Sequence, residues 1–173
     1  RWQVGEHFFI EGEPMTSVEE KMAIRGKICA GLRMKDSKMR TACALVIAQI
    51  ATHDWPEEWE GLLGELLVPI REKRDVDHVN GALRCMSMLC GDLEERQLPK
   101  LVPELFPDLF GLLQASDDGL NGIDKDQMTM VKCRALDVTR GCYSNLGMIG
   151  DDQIRFQIKE AAKPFLESNF VAY

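Results

Sequence analysis

The feature that most constrains the fold of this chain is a helical spacing of apolar residues that recurs along its length. Between Trp59 and Ile70, apolar side chains fall three, four and seven positions apart, so they line one face of a helix. Nowhere does the alternation of apolar and polar residues that marks a half-buried strand persist beyond a few positions. The sequence therefore predicts an all-α protein of six or seven antiparallel helices, without β-sheet.

The first two helices are predicted on either side of a short basic turn at residues 35–38. The first extends from about Ser17 to Met34, where Thr16 or Ser17 can form the cap and Glu19 or Glu20 can complete a capping box. The predicted apolar faces are Val18, Met22, Ile24, Ile28 and Leu32 in the first helix, and Met39, Ala42, Val46, Ile47 and Ile50 in the second.

The segment Asp54-Trp55-Pro56-Glu57-Glu58-Trp59 predicts the start of a third helix. A carboxylate at Asp54 can accept the free amides of a first helical turn, and Pro56 is tolerated there because those amides lack partners. We expect Trp55 and Trp59 to lie in the core at the head of the leucine stripe. Exposed anchors for a partner are the alternative.

The remaining helices are predicted after charged or polar turns. Pro103 and Pro107 lie within the fifth helix and predict a late start or a kink. The range from Gln114 to Thr129 forms the longest connection. The apolar stripes are Val79, Ala82, Leu83, Met86, Leu89, Cys90 and Leu93 in the fourth helix, Val102, Leu105, Phe106, Leu109 and Leu113 in the fifth, Val131, Ala135, Val138, Cys142 and Leu146 in the sixth, and Ile154, Ile158, Ala161, Phe165 and Phe170 in the seventh.

Paired helices joined by turns indicate a repeat. Pro56 and Pro99 open alternate predicted helices, 43 residues apart. The dipeptides at 44–45, 82–83 and 135–136 are all Ala-Leu and fall early in the second helix of a pair. A two-helix unit of about 40–47 residues is typical of HEAT or armadillo repeats, and the lack of a third short helix favours HEAT. The sequence thus predicts an α-solenoid segment of about three full hairpins with flanking helices.

Composition narrows the function classes. The net charge is −7, from 28 acidic and 21 basic residues, which argues against direct nucleic-acid binding and weakly favours basic partners. No apolar run approaches the ~20 residues of a membrane span, so no membrane insertion is expected. The six cysteines form no CxxC pair, which favours reduced thiols packed as small apolar side chains. A start at Arg1 instead of methionine suggests a piece of a longer protein.

Several segments together carry a resemblance to a known family. They are Ile24-Arg25, Lys38-Met39-Arg40, Ile47-Ala48-Gln49-Ile50-Ala51, and the run from Asp54-Trp55-Pro56 to Leu62-Leu63. This arrangement resembles the amino-terminal domain of the importin-β (karyopherin-β) family. Downstream, residues 80–84 and 98–107 are similar to the importin-9 branch. On this resemblance residues 1–173 form a single HEAT array, with 1–70 like the family's amino-terminal domain and 71–173 as the repeats that follow.

The resemblance implies a nuclear import receptor. Such a protein binds a Ran-type GTPase in its GTP form through this end, carries protein cargo past nucleoporins, and shuttles between cytoplasm and nucleus. The importin-9 branch is associated with basic cargo, including core histones. The resemblance implies neither a cofactor nor an enzymatic activity.

A candidate partner surface follows from the repeat geometry. Second helices of successive hairpins lie side by side in a HEAT array, so their polar faces form one strip. The residues predicted to line this strip are Thr41, Asn80, Arg84, Ser87, Asp137, Arg140 and Ser144. Arg84 and Arg140 are the expected anchors, because a planar guanidinium can pair with a carboxylate through two hydrogen bonds.

Patterns that would indicate an enzyme are weak. His7, His53 and His78 have no neighbouring partner pattern, and Gly26-Lys27 lacks the remainder of a phosphate-binding loop. The acidic stretch at 117–122 has glycine at the third position of a calcium loop and no glutamate at the twelfth. The alternative function is a HEAT scaffold that assembles a multiprotein complex without transport, with an all-α enzyme as a third reading.

Overall fold

The computed structural model describes residues 9–10, 13–14, 16–93, 97–115 and 123–146, with separate helical positions between 152 and 167. Its helices are α1 (Val18–Ala30, followed by a 3-10 turn at Gly31–Arg33), α2 (Ser37–Asp54), α3 (Leu62–Glu72), α4 (Val76–Asp92), α5 (Leu98–Leu113) and α6 (Lys125–Leu146). Two short strands, β1 (Phe9–Ile10) and β2 (Glu13–Pro14), pair in antiparallel fashion. The predicted all-α class is confirmed, and the two-residue ladder is the one addition to it within the described residues.

The helices pack in two layers. Helices α2, α4 and α6 lie side by side, while α3 contacts α5 on the other side, and each pair α1–α2, α3–α4 and α5–α6 is in contact. Arg40 of α2 reaches Asp77 at the start of α4 at 2.8 Å, and Gln49 reaches Asp92 at its end at 3.4 Å. These two contacts show that α2 and α4 run in the same direction.

Helices α4 and α6 are parallel as well. A Cβ atom on Gly141 would lie 3.6 Å from the carbonyl oxygen of Ser87, and the Asn145 amide donates to the carbonyl of Cys90 at 2.5 Å. Because both contacts advance in the same sense along the two helices, residue 84 of α4 lies at about the level of residue 138 of α6. This register decides which polar side chains can meet.

Side-chain caps set three of the helix starts. Ser17 and Glu20 form the predicted capping box, with bonds of 3.2 Å to the Glu20 amide and 2.8 Å from the Ser17 amide. Asp36 caps α2 by accepting from the amides of residues 38 and 39, and Asp75 caps α4 by accepting from the amides of residues 77 and 78. The capping-box prediction is confirmed.

The predicted faces of α1 and α2 are partly wrong. Val18 and Met22 are 68% and 65% exposed, and Ile24 is also exposed, so α1 contributes to the core mainly through its carboxyl-terminal end. In α2 the predicted Met39, Ala42 and Val46 are exposed, and the buried face is rotated toward three alanines. Small side chains allow α2 to pack closely against a neighbouring helix. Which α2 residues are buried therefore depends more on this helix contact than on the spacing of apolar residues. The buried alanines of α2 are Ala44, Ala48 and Ala51.

The predicted helix start at Asp54 is wrong. Asp54 is the last residue of α2, and its carbonyl oxygen accepts from the amides of Glu58 and Trp59 at 2.7 and 2.9 Å, so the chain turns tightly before α3 begins at Leu62. The Trp55–Pro56 peptide bond in this turn is cis. Trp55 and Trp59 are 4% and 7% exposed, which confirms the prediction that both belong to the core.

The stripes of the later helices fit the structure better. Every residue predicted for the α4 stripe is buried, and in α6 the same holds for Val131, Ala135, Val138 and Cys142. In α5 the expected late start is not observed, because Pro103 and Pro107 lie on one exposed face where water can reach the carbonyls that lose an amide partner. The start of α6 at Lys125 shortens the predicted long connection.

One predicted apolar stripe falls outside the described residues. The apolar stripe of the seventh helix, from Ile154 to Phe170, lies outside them, although positions 152–153, 155–156 and 159–160 are helical. The three Ala-Leu dipeptides lie in α2, α4 and α6, and all their alanines are buried, but Leu83 is buried while Leu45 and Leu136 are about half exposed. The division after residue 70 stays a prediction, and it falls inside α3.

Helix α4 is held against the end of α1 by a close backbone approach. A Cβ atom on Gly81 would lie 2.4 Å from the carbonyl oxygen of Leu32, a distance that side-chain atoms do not tolerate. Only glycine therefore lets α4 pack on the 3-10 turn at this point. The free thiols of Cys85, Cys90 and Cys142 are buried around the same helix, as small apolar groups would be.

Candidate functional site

The residues predicted to contact a partner lie on the three parallel helices α2, α4 and α6. Thr41 is half-buried, and its hydroxyl donates to the carbonyl of Ser37 at 2.8 Å. Arg84 and Ser87 are also half-buried, one turn apart on α4. Asn80 is only 7% exposed and its side-chain oxygen has no hydrogen-bond partner. The α4 part of the predicted strip is therefore largely covered.

The α6 part of the strip faces solvent. Asp137, Arg140 and Ser144 are all exposed, and the Arg140 guanidinium lies 3.7 Å from the Asp137 carboxylate one turn before it. Such an exposed pair contributes little to stability because solvent screens it. The structure thus places the seven predicted residues on the layer of α2, α4 and α6. Those on α2 and α4 are buried or half-buried, and those on α6 form an exposed ridge.

Sequence reasoning missed Arg134, which lies at the seam between α4 and α6. It is half-buried, its Nε atom is buried without a hydrogen-bond partner, and burial lowers its pKa, helped by the positive charges of Arg84 and Arg40. The register given above places it near Asn80 and Arg84. The prediction took the α6 residues opposite the apolar stripe, and these form the exposed ridge. Arg134 was missed because it lies at the edge of the stripe, beside Ala135.

Arg40 was quoted for the resemblance but not placed in the site. Its guanidinium pairs with Asp77 at 2.8 Å and donates to the carbonyls of Met34 and Lys35 at 2.5 and 2.8 Å. These bonds tie the 3-10 turn region to the starts of α2 and α4. Arg40 therefore has a structural role, and it adds positive charge to the seam.

A second arginine site joins the two halves of the family-like motif. The Arg25 guanidinium contacts the Asp54 carboxylate at 2.5 Å, donates to the Glu58 carbonyl at 2.7 Å, and lies 5.6 Å from the centre of the Trp59 ring. The side chains of Arg25 and Asp54 are only 12% and 6% exposed. Because the Arg25 charge lies against two carboxylates, this cluster stabilises the turn after α2 and does not offer a free charge.

A cleft of about 330 Å³ opens where α1, α3 and α4 meet. Cys29, Arg33, Glu65 and His78 contribute its polar lining. Burial and the neighbouring Glu65 raise the pKa of the Cys29 thiol well above its usual range, while burial and Arg33 lower the pKa of His78. A protonated thiol is a poor nucleophile, so these pKa shifts do not favour a reactive cysteine in the cleft.

The residues that the structure describes contain neither a cluster of metal ligands nor a membrane-spanning helix. Within those residues, no group of three or more histidine, cysteine or acidic side chains is arranged to hold a metal ion. None of the helices described is long and apolar enough to cross a membrane. No model of a known protein family matches the chain.

Proposed function

We propose that this chain is part of a nuclear transport receptor of the importin-β type, which binds a Ran-type GTPase in its GTP form and carries basic protein cargo through the nuclear pore. The observation that carries the proposal is the Arg25 cluster. The segments on which the resemblance rests, Ile24-Arg25 and Asp54 to Trp59, are far apart in sequence and meet through direct contacts. A motif whose parts meet in this way has a structural reason to occur as a unit.

The helix layout supports a stack of HEAT hairpins. In such a stack each hairpin packs on the next, so the second helices are parallel neighbours in one layer and the first helices form the other. The contacts α2–α4–α6 and α3–α5, with parallel directions within the first set, fit this arrangement. On this proposal α1–α2, α3–α4 and α5–α6 are three consecutive repeats.

The layer of second helices is the proposed face for the GTPase. It combines the open ridge of Asp137, Arg140 and Ser144 with the half-buried Arg84 and Ser87. Mixed charge and short hydrogen-bonding groups suit a folded protein surface better than a uniform polyanion. Basic cargo would be attracted by the acidic balance of the chain as a whole, which is −7.

The test is binding to Ran loaded with GTP or with GDP. The 173-residue chain is immobilised and its affinity for each form is measured by titration. We expect preference for the GTP form, and we expect Arg84→Ala with Arg140→Ala to weaken it by about 1–2 kcal/mol, the usual effect of losing charged interface contacts. Arg71→Ala with Arg74→Ala removes the same charge away from this layer and should leave the affinity unchanged.

Equal binding to both nucleotide forms, or none to either, would contradict the transport proposal. That result would favour the alternative of a HEAT scaffold that assembles a complex without transport, because the stacked hairpins fit both functions. Loss of affinity in the Arg71 and Arg74 control alone would place the GTPase on the opposite layer.

A further inference from the structure

Two guanidinium groups at the seam of α4 and α6 are left without partners. Arg84 and Arg134 are both half-buried, and over the parts of the chain that the structure describes neither forms a hydrogen bond or an ion pair. By contrast, Arg25, Arg40, Arg71 and Arg140 each contact a carboxylate. Since partly buried charges are normally paired, the two seam arginines differ from these four.

Placing these two positive charges together is unfavourable in the isolated chain. Burial and the charges of Arg84 and Arg40 lower the pKa of Arg134, and the carboxylate of Asp137 only partly offsets them. Its Nε–H donor is buried and unpaired, and so is the side-chain oxygen of Asn80 on the facing turn of α4. Groups held in such an unfavourable state are typical of sites that wait for a ligand.

The chemistry of the seam selects a carboxylate. A guanidinium binds a planar carboxylate through two parallel hydrogen bonds, and the adjacent Asn80 oxygen can accept an N–H from the backbone of the same segment. A nucleic acid fits poorly, because it presents a charge every ~1.7 Å, whereas the seam offers only two unpaired guanidinium groups.

We propose that Arg84 and Arg134, with Asn80 beside them, form a docking site for an acidic side chain on an extended segment of a protein partner. This site differs in chemistry from the attraction of basic cargo to the acidic chain. It depends on the packing of α4 against α6 and on the unpaired groups there, and it stands whether or not the chain binds a GTPase.

The experiment measures binding of a fluorescent peptide of alternating Glu and Gly to the 173-residue chain by anisotropy. Its matched control peptide has Gln at every Glu position. Two further probes, a peptide of alternating phosphoserine and Gly and a single-stranded oligonucleotide, distinguish carboxylate from phosphate recognition. We expect binding of the Glu peptide alone or in clear preference, weakening as salt is added.

Two charge-matched double variants locate the site. Arg84→Met with Arg134→Met keeps the apolar stems and should weaken Glu-peptide binding at least about tenfold, the loss expected for charge-assisted hydrogen bonds. Arg71→Met with Arg74→Met removes the same charge at exposed positions outside the seam and should change the affinity less than about twofold. Urea unfolding confirms that each variant is folded before binding is measured.

Several results would overturn the proposal. They are no binding of the Glu peptide by the unaltered chain, equal binding of the Gln peptide, equal losses in the two double variants, or tighter binding of either phosphate probe. Asn80→Ala gives a milder second measurement in a folded protein. It should weaken the Glu peptide without altering the dependence of binding on salt, because it removes an acceptor and not a charge.

Discussion

Arg25 of α1, which reaches the turn after α2, and the two arginines at the seam of α4 and α6 are all partly removed from water, yet their surroundings are opposite. Arg25 contacts two acidic side chains, a carbonyl and an aromatic ring. Arg84 and Arg134 face each other's charge with no such contacts in the described residues. The comparison teaches that the first region uses its charge to hold the fold, whereas the second keeps its charge available.

The largest effect should come from breaking the paired region. Arg25→Met leaves the Asp54 carboxylate buried without its cation, and we expect the free energy of unfolding to fall by about 3–5 kcal/mol. Urea titration followed by tryptophan fluorescence measures this loss. The matched control is Arg71→Met, which breaks the more exposed pair with Asp108 and should cost less than about 1 kcal/mol. Equal losses would mean that burial of the Arg25 pair does not matter.

The same substitution in the unpaired region should have the opposite sign. Arg134→Met removes a half-buried, repelled charge that solvent partly screens, so we expect stability to be unchanged or to rise by less than about 1 kcal/mol. Added salt should stabilise the unaltered chain more than the variant, because salt screens the repulsion that the variant lacks. A loss comparable to that of Arg25→Met would contradict the comparison and show that Arg134 holds the fold.

The smallest expected effect is a pH dependence of stability caused by His78, because an imidazole ordinarily titrates near neutral pH. Burial, and then Arg33, lower the pKa of His78 from 6.5, only partly offset by Asp75 and Glu72. The unfolded chain therefore binds the proton more readily, so stability should fall as the pH drops through about 6.5 and level off below the folded pKa. Because His78 is half-exposed, the change should be less than about 1 kcal/mol.

The variant His78→Gln checks this assignment. It cannot bind the proton, so its stability should depend less on pH than that of the unaltered chain over the same window. Stability is measured by urea unfolding at matched ionic strength. An unchanged pH dependence in the variant would assign the effect to another group.

The helical class and the cores of α4 and α6 could be read from the sequence because these helices bury one broad apolar face between neighbours. The faces of α1 and α2 could not, since an apolar period does not tell which side a neighbouring helix covers. Val18 and Met22 fit the apolar spacing but are exposed to solvent, while small alanines lie on the buried face of α2. The prediction for Asp54 was wrong for a related reason, because a carboxylate suited to cap a helix is equally suited to pair with a distant arginine.

The candidate site was predicted in part. The layer that carries it and Arg84 followed from the repeat, but Arg134 did not, because its position depends on the register between α4 and α6. That register is set by contacts such as Asn145 with Cys90 and by the small Gly141, which no local pattern encodes. Whether these residues contact a GTPase stays a prediction.

The buried thiols of α4 and α6 can report how often the seam between these two helices opens. Cys90 of α4 and Cys142 of α6 lie close together with no exposure to solvent, whereas Cys133 on α6 is exposed. An alkylating reagent can therefore reach Cys133 in the closed protein but must wait for the helices to separate before it reaches the other two. The rate at which Cys90 and Cys142 become labelled would thus time how often the two helices part, in a protein that carries its own reporter groups.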